Sequence, residues 1–163
     1  MRKVLSLVLL LALLLSLTAC SFPFGSRNST EPKVFSRDGF SITLPGNSLD
    51  LSFSKDPTED PYLLMAGDIA IAAKILNSGD TDSMSLEEYT KKIIEVNGYD
   101  SVPEERDGLW TFTFEEEGGT FLAVILKTET CFWFVTATCD IEDYSELQDT
   151  MWQYLTTVQV SDY

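Results

Sequence analysis

From residue 33 onward, apolar and polar side chains alternate along the chain with the period of a β-strand. In Phe40–Leu44 three apolar side chains alternate with Ser41 and Thr43, which is typical of a strand buried on one face. Asp38-Gly39 predicts a tight turn that pairs this strand with Lys33–Ser36. Asn47–Pro61 is polar and predicts a long loop, with a short edge segment at residues 49–53.

The remaining strand patterns are longer and more apolar. Strands are predicted at Tyr62–Ala66, Ile69–Leu76, Leu109–Phe114, Thr120–Lys127 and Cys131–Cys139. Gly67-Asp68 and Glu115–Gly119 supply hairpin turns between them. Thr120–Lys127 and Cys131–Cys139 are apolar on both faces, so each needs a packed layer on both sides.

Two helices are predicted. Ser85 caps the first one while Glu88 reaches back to the cap, and Asn97-Gly98 ends it. The second covers Tyr144–Thr156, with Asp140 or Asp143 as its cap. Its inward side chains are expected to be Leu147, Met151, Tyr154 and Leu155. The sum is one α+β domain, residues 33–163, with a mostly antiparallel sheet of about six strands and helices packed on its faces.

The order of these elements resembles a known family. The segment FSRDGFSITLP, Phe35–Pro45, is similar to the opening hairpin of the PsbP-like α/β/α sandwich. The helix start at Ser85–Tyr89 and the later hairpin with its closing helix also fit, so the resemblance covers residues 33–163. Gly46–Ser48 departs from the Trp-containing segment that bacterial members often carry there. Members include the PsbP subunit of photosystem II, a Ran-binding nuclear import factor and bacterial lipoproteins, so the resemblance implies a binding or assembly module and no catalytic residue.

The first 19 residues read as an export signal. Arg2 and Lys3 precede the uncharged stretch Val4–Leu17, which is shorter than a bilayer-spanning helix. Leu17–Cys20 resembles the bacterial lipobox, which implies that Cys20 receives a diacylglyceryl group and becomes the mature N-terminus. The alternative is an ordinary secretory signal in which Cys20 is incidental. Residues 20–32 are rich in Ser, Pro and Gly and predict a lipidated tether.

Charge and composition restrict the partners. The mature chain keeps 9 basic and 26 acidic residues, a net charge of −17, which repels phosphate backbones and excludes nucleic acid as a partner. The chain has no His, which removes Ser-His-Asp or Cys-His nucleophile activation and His-ligated zinc. We expect the protein on the extracytoplasmic face of the cell membrane, bound through the lipid on Cys20 and in contact with an unidentified envelope protein.

Several groups could carry chemistry but have a simpler structural interpretation. The acidic runs are expected to be solvated, although Asp56–Asp60 or Asp140–Asp143 could bind a divalent cation, and a hydrolase would need two carboxylates across a cleft. The other acidic runs are Glu104-Glu105 and Glu115–Glu117. Cys131 and Cys139 lie eight residues apart on one strand, about 26 Å, too far for a disulfide. Alternating aromatics are expected in the core rather than in a ligand groove, namely Trp110, Phe112, Phe114, Phe132 and Phe134.

The sequence therefore favours a non-catalytic binding or assembly module with no cofactor, no metal and no catalytic residue. The alternatives are a protein that binds a small ligand or a divalent cation, and a hydrolase that uses only carboxylates.

Overall fold

The computed structural model describes residues 31–78 and 84–163. Within these ranges the chain forms ten strands and two α-helices. The strands are β1 Pro32–Arg37, β2 Phe40–Pro45, β3 Leu49–Asp50, β4 Tyr62–Ala66, β5 Ile69–Ser78, β6 Glu104–Arg106, β7 Leu109–Glu116, β8 Gly119–Lys127, β9 Cys131–Asp140 and β10 Gln159–Val160. Helix α1 is Leu86–Asn97, and helix α2 is Tyr144–Leu155, which directly follows a 3₁₀ turn at Ile141–Asp143.

The strands form two antiparallel sheets. The small sheet has the order β1-β2-β10, and the large sheet has the order β3-β4-β5-β9-β8-β7-β6. The predicted α+β class with a mostly antiparallel sheet is confirmed. The expected number of about six strands is too low. Strand β3 lies within the edge segment predicted at residues 49–53, whereas β6 and β10 have only two or three residues each and leave no periodic signal.

One face of the large sheet packs against the small sheet and α2 around a core centred on Trp133. This side chain is fully buried, stacks on Phe40 at 5.9 Å between ring centroids, and lies 6.2 Å from the ring of Tyr62. Its indole N–H donates to the carbonyl of Ser161 at 3.4 Å. Met151 of α2 is fully buried in the same core. Ile42 and Leu44 of β2 are buried in this cluster too, so aromatic and aliphatic contacts together hold the small sheet on the large one.

The other face carries α1, whose Tyr89 stacks on Phe132 with ring centroids 3.9 Å apart. Phe112 and Phe114 are buried beneath the same helix, while Phe134 is partly buried at its margin. Phe112, Phe114 and Phe132 are core, as the alternation predicted. Trp110, which was also expected in the core, is only partly buried and belongs to neither core cluster. The two-sided apolar strands β8 and β9 thus receive the packed layers that they require.

The first helix begins and ends as predicted. The Ser85 hydroxyl accepts the Glu88 N–H at 3.2 Å, and the Glu88 carboxylate accepts the Ser85 N–H at 2.9 Å. Gly98 ends the helix in the left-handed conformation, φ 68°.

Asp143 occupies the N-cap position of the second helix, as predicted, but its side chain does not cap the helix. Neither Asp140 nor Asp143 makes a side-chain capping bond. The 3₁₀ turn runs straight into α2, and the Tyr144 N–H donates to the Ile141 carbonyl. Because Asp143 already has near-helical dihedrals, it lacks the extended backbone from which a cap side chain reaches forward.

Cys131 and Cys139 are both buried and free, as the spacing predicted. They lie at opposite ends of β9 and contribute to the same core cluster. Burial raises the pKa of the Cys139 thiol, and the carboxylates of Asp143 and Asp140 add to the effect. A thiol in this environment stays protonated, which makes it a poor nucleophile.

Candidate functional site

The β3–β5 half of the large sheet exposes an apolar face, which we call the open half-sheet. Its residues come from three adjacent strands and the residue after β3: Leu49, Leu51, Leu63, Met65, Ala70 and Ala72. Leu49 pairs with Met65, and Met65 pairs with Ala70. Partners across an antiparallel ladder share a face, so these side chains form one contiguous surface. Leu51 extends it, because its N–H donates to the Leu63 carbonyl at 2.8 Å.

The opposite face of the same strands is core. Leu64 is 3% exposed and Ile71 is 1% exposed, whereas Leu49 is 60% exposed and Leu51 is 44% exposed. The four inner residues of the open half-sheet are only partly buried. Strands that are apolar on both faces ordinarily have packed layers on both sides.

The two described helices do not supply that second layer. Helix α1 packs on β7 and β8, and its core cluster contains no residue of β3, β4 or β5. Helix α2 packs on the opposite face of the sheet. This apolar face is therefore left uncovered by both described helices, and exposed apolar surface of this kind is a candidate interaction site.

Carboxylates gather at one end of this surface, which we call the acidic end. A concavity of about 460 Å³ opens there between the β4–β5 and β7–β8 turns. Met65, Ala70 and Thr138 line it together with acidic side chains, which are Asp68, Glu116, Glu117, Asp140 and Asp143. The hydroxyl oxygen of Thr138 is buried and has no hydrogen-bond partner in the described part of the chain. The acidic end therefore offers anionic groups beside an apolar floor.

The structure separates the other predicted carboxylates. Glu104 and Glu105 lie exposed on edge strand β6, and Glu115 lines a different groove. The Asp56 carboxylate accepts the Thr58 hydroxyl at 2.6 Å and the Thr58 N–H at 2.8 Å, and these bonds lower its pKa. Across residues 31–78 and 84–163, no group of three or more His, Cys, Asp or Glu residues is arranged to hold a metal ion.

The open half-sheet is not among the features predicted from the sequence, although a signal for it exists. Tyr62–Ala66 reads YLLMA and Ile69–Ala73 reads IAIAA, so both strands are apolar on both faces, like β8 and β9. The same pattern thus has two outcomes in this fold. For β8 and β9 the second face receives a helix, whereas neither described helix packs on the second face of β4 and β5.

The predicted lipid-attachment residue Cys20, the predicted signal of residues 1–19 and most of the predicted tether of residues 20–32 lie outside the described residues. Neither described helix is long and apolar enough to cross a bilayer. Lipidation therefore stays a prediction from the sequence.

Comparison with known proteins supports the fold alone. No protein-family model matches the chain, and no curated protein sequence is similar to it. The solution structure of cyanobacterial PsbP from Synechocystis aligns over 80% of this chain and 93% of its own length, with a TM-score of 0.51 and 10% identity. A crystal structure from Bacteroides thetaiotaomicron aligns over 80% of this chain and 48% of its own, with a TM-score of 0.49 and 16% identity. The chain therefore has a PsbP-like fold.

Proposed function

We propose that this protein is a non-catalytic binding module, held on the extracytoplasmic face of the cell membrane by a lipid on Cys20. The observation that carries the proposal is the open half-sheet. Its six apolar side chains share one face of three adjacent strands, and neither described helix packs on them. A soluble domain that keeps such a face uncovered is suited to bind a protein partner through it.

The acidic end indicates the chemistry of that partner. Its carboxylates, Asp68 and Glu116 among them, border Met65 and Ala70 of the open half-sheet. A matching surface presents apolar side chains beside Lys or Arg, because opposite charges at the rim speed encounter and select the partner. The mature charge of −17 favours the same kind of partner. We therefore propose an envelope protein with a basic, apolar patch.

A binding role is better supported than catalysis. The sequence contains no His, so the nucleophile activation that depends on imidazole cannot operate. Burial raises the pKa of the Cys139 thiol and makes it unreactive. The carboxylates of the acidic end lie at the border of an apolar surface, where electrostatic selection of a partner is a sufficient role for them.

The anchor is tested by replacing Cys20 with Ser. Cells grown with labelled fatty acid are fractionated, and the full-length parent is compared with the variant. We expect label and membrane retention in the parent and neither in Cys20→Ser. A parent that carries no label, or a variant that is labelled equally, contradicts the anchor.

The binding face is tested by photo-crosslinking in the native host. A photoreactive residue is placed at Leu51 of the open half-sheet or at Val34 of β1, which are 44% and 60% exposed. We expect a discrete adduct from position 51 alone, which disappears when Leu49→Asp is added. Equal adducts from positions 51 and 34, or none from position 51, contradict a partner at the open half-sheet.

A further inference from the structure

The opposite edge of the large sheet has a second feature, an incompletely paired strand. Strand β6 pairs with β7 at only three positions, and the last of them joins Glu104 to Thr111. Strand β7 continues to Glu116, and no described strand pairs with it on that side beyond Thr111. We call the unpaired segment, residues 113–115, the free β7 edge.

The strand register shows where the backbone groups of this edge point. Glu117 and Gly118 both have positive φ, 52° and 87°, which is the pattern of a two-residue hairpin turn. The two residues that flank such a turn exchange both of their backbone hydrogen bonds, so Glu116 and Gly119 form a hydrogen-bonded pair. Counting back from Glu116, every second residue of β7 likewise directs its N–H and carbonyl groups toward β8. The N–H and carbonyl groups of Thr113 and Glu115 therefore point away from β8, toward the free edge.

The chain's own preceding segment does not continue the ladder along this edge. The Ser101 N–H donates to the Tyr99 carbonyl at 3.0 Å, which closes a three-residue turn between α1 and β6. Pro103 follows and restricts Val102 to extended dihedrals. A groove of about 650 Å³ remains between Asp100 on one side and Thr113 and Glu115 on the other.

The side chains around the groove favour a basic occupant. Tyr99 stacks on Phe114 with ring centroids 3.9 Å apart, and Tyr144 lines the groove as well. The exposed carboxylates of Asp100 and Glu115 are the charged groups of its lining. Outward N–H and carbonyl groups in strand geometry bind an extended backbone. Aromatic rings and carboxylates together attract Lys and Arg side chains.

We propose that the free β7 edge binds an extended, basic peptide segment of a partner by strand addition, with backbone hydrogen bonds to Thr113 and Glu115. This site is independent of the open half-sheet, because β3 and β6 are the two opposite edges of the large sheet. The peptide would complete the pairing that β6 leaves unfinished.

Amide hydrogen exchange of the full-length, detergent-solubilised protein tests the proposal. The probe is a blocked seven-residue peptide of alternating lysine and valine, and its glutamate–valine counterpart is the control. We expect the lysine peptide at saturation to slow exchange of the Thr113 and Glu115 amides by at least about tenfold, while the amides of β3 and β4 are unchanged. The glutamate peptide should have no effect.

Two further comparisons separate strand addition from simple charge attraction. Two lysine–valine peptides are made in which every second amide is N-methylated, starting at the first residue in one and at the second residue in the other. Both keep their charge, but the one whose methylated amides face the free β7 edge should lose binding. Glu115→Pro removes one outward N–H at an edge position where proline is tolerated, and it should abolish protection. Glu115→Gln keeps that N–H and should weaken binding only about two- to fivefold.

The results that overturn the proposal are equally specific. They are absence of protection at Thr113 and Glu115, equal binding of the glutamate peptide, or full binding by both N-methylated peptides. Leu51→Asp should leave the lysine peptide's affinity unchanged. A failure here therefore leaves the open half-sheet proposal intact, and a failure of the crosslinking experiment leaves this one intact.

Discussion

The two faces of the β3–β5 half of the sheet should respond very differently to truncation of a leucine. Leu64 lies on the core face at 3% exposure, and Leu49 lies on the open half-sheet at 60% exposure. We compare Leu64→Ala with Leu49→Ala, two chemically identical changes on neighbouring strands. The difference between their losses of unfolding free energy measures how far the open half-sheet is buried in the folded protein.

The magnitudes follow from burial. Truncating a buried leucine removes transfer free energy and leaves a cavity, which together cost about 2–5 kcal/mol. Full burial of a leucine side chain contributes about 1.5–3 kcal/mol, and the side chain of Leu49 is mostly exposed. Leu49→Ala should therefore cost less than about 1 kcal/mol. The two variants should differ by at least about 1 kcal/mol in the free energy of unfolding.

Urea denaturation followed by tryptophan fluorescence measures both variants against the parent. We expect the midpoint of Leu64→Ala to fall clearly and that of Leu49→Ala to stay close to the parent's, with equal slopes. An equal loss in the two variants would mean that the folded chain itself covers the open half-sheet. The surface would then be unavailable to a partner, and the proposed function would fail.

Four other predictions concern the same fold. Gly39→Ala should destabilise the protein by at least about 1 kcal/mol, because φ is +74° and a Cβ would lie 3.0 Å from the Trp133 ring; thermal unfolding measures it, and an unchanged midpoint contradicts it. Ser85→Ala should cost about 1 kcal/mol of unfolding free energy in urea. Hydrogen bonds from the Ser85 N–H and hydroxyl lower the pKa of Glu88, so the ionised carboxylate stabilises the folded protein above about pH 4.5, and this stabilisation is lost as the pH falls. Glu88→Gln should therefore reduce the fall in unfolding free energy at acid pH. Both cysteines of β9 should resist alkylation when folded and react in denaturant without reductant, whereas protection in denaturant would indicate a disulfide.

Local signals in the sequence predicted most of the fold. Ser85 and Glu88 stand three residues apart before an apolar stripe, and that spacing alone defines the start of α1. The alternation in Phe40–Leu44 predicted which side chains of β2 are buried. These features depend only on neighbours in the chain, so a single sequence is enough to find them.

Features that depend on distant contacts were missed. Strand β10 exists because Gln159 pairs with Ser41, more than a hundred residues earlier in the chain. The 3₁₀ turn before α2 replaced the expected Asp cap through a bond from Tyr144 to Ile141. The pattern of β4 indicates two apolar faces, but the position of α1 over β7 and β8 decides which strands the described helices leave uncovered. Helix placement is a tertiary property that periodicity does not encode.

Oxidation of Met65 tests most directly the claim that a partner protein binds the open half-sheet. Met65 lies on the open half-sheet, Met84 packs against the α1 core cluster, and Met151 is fully buried. Brief oxidation of native membranes is compared with that of the purified full-length protein, and each sulfoxide is quantified by mass spectrometry. A partner on the open half-sheet predicts that Met65 oxidises several-fold more slowly in membranes while Met84 reacts equally in both and Met151 stays unreacted. Equal oxidation of Met65 in both preparations would contradict the binding role.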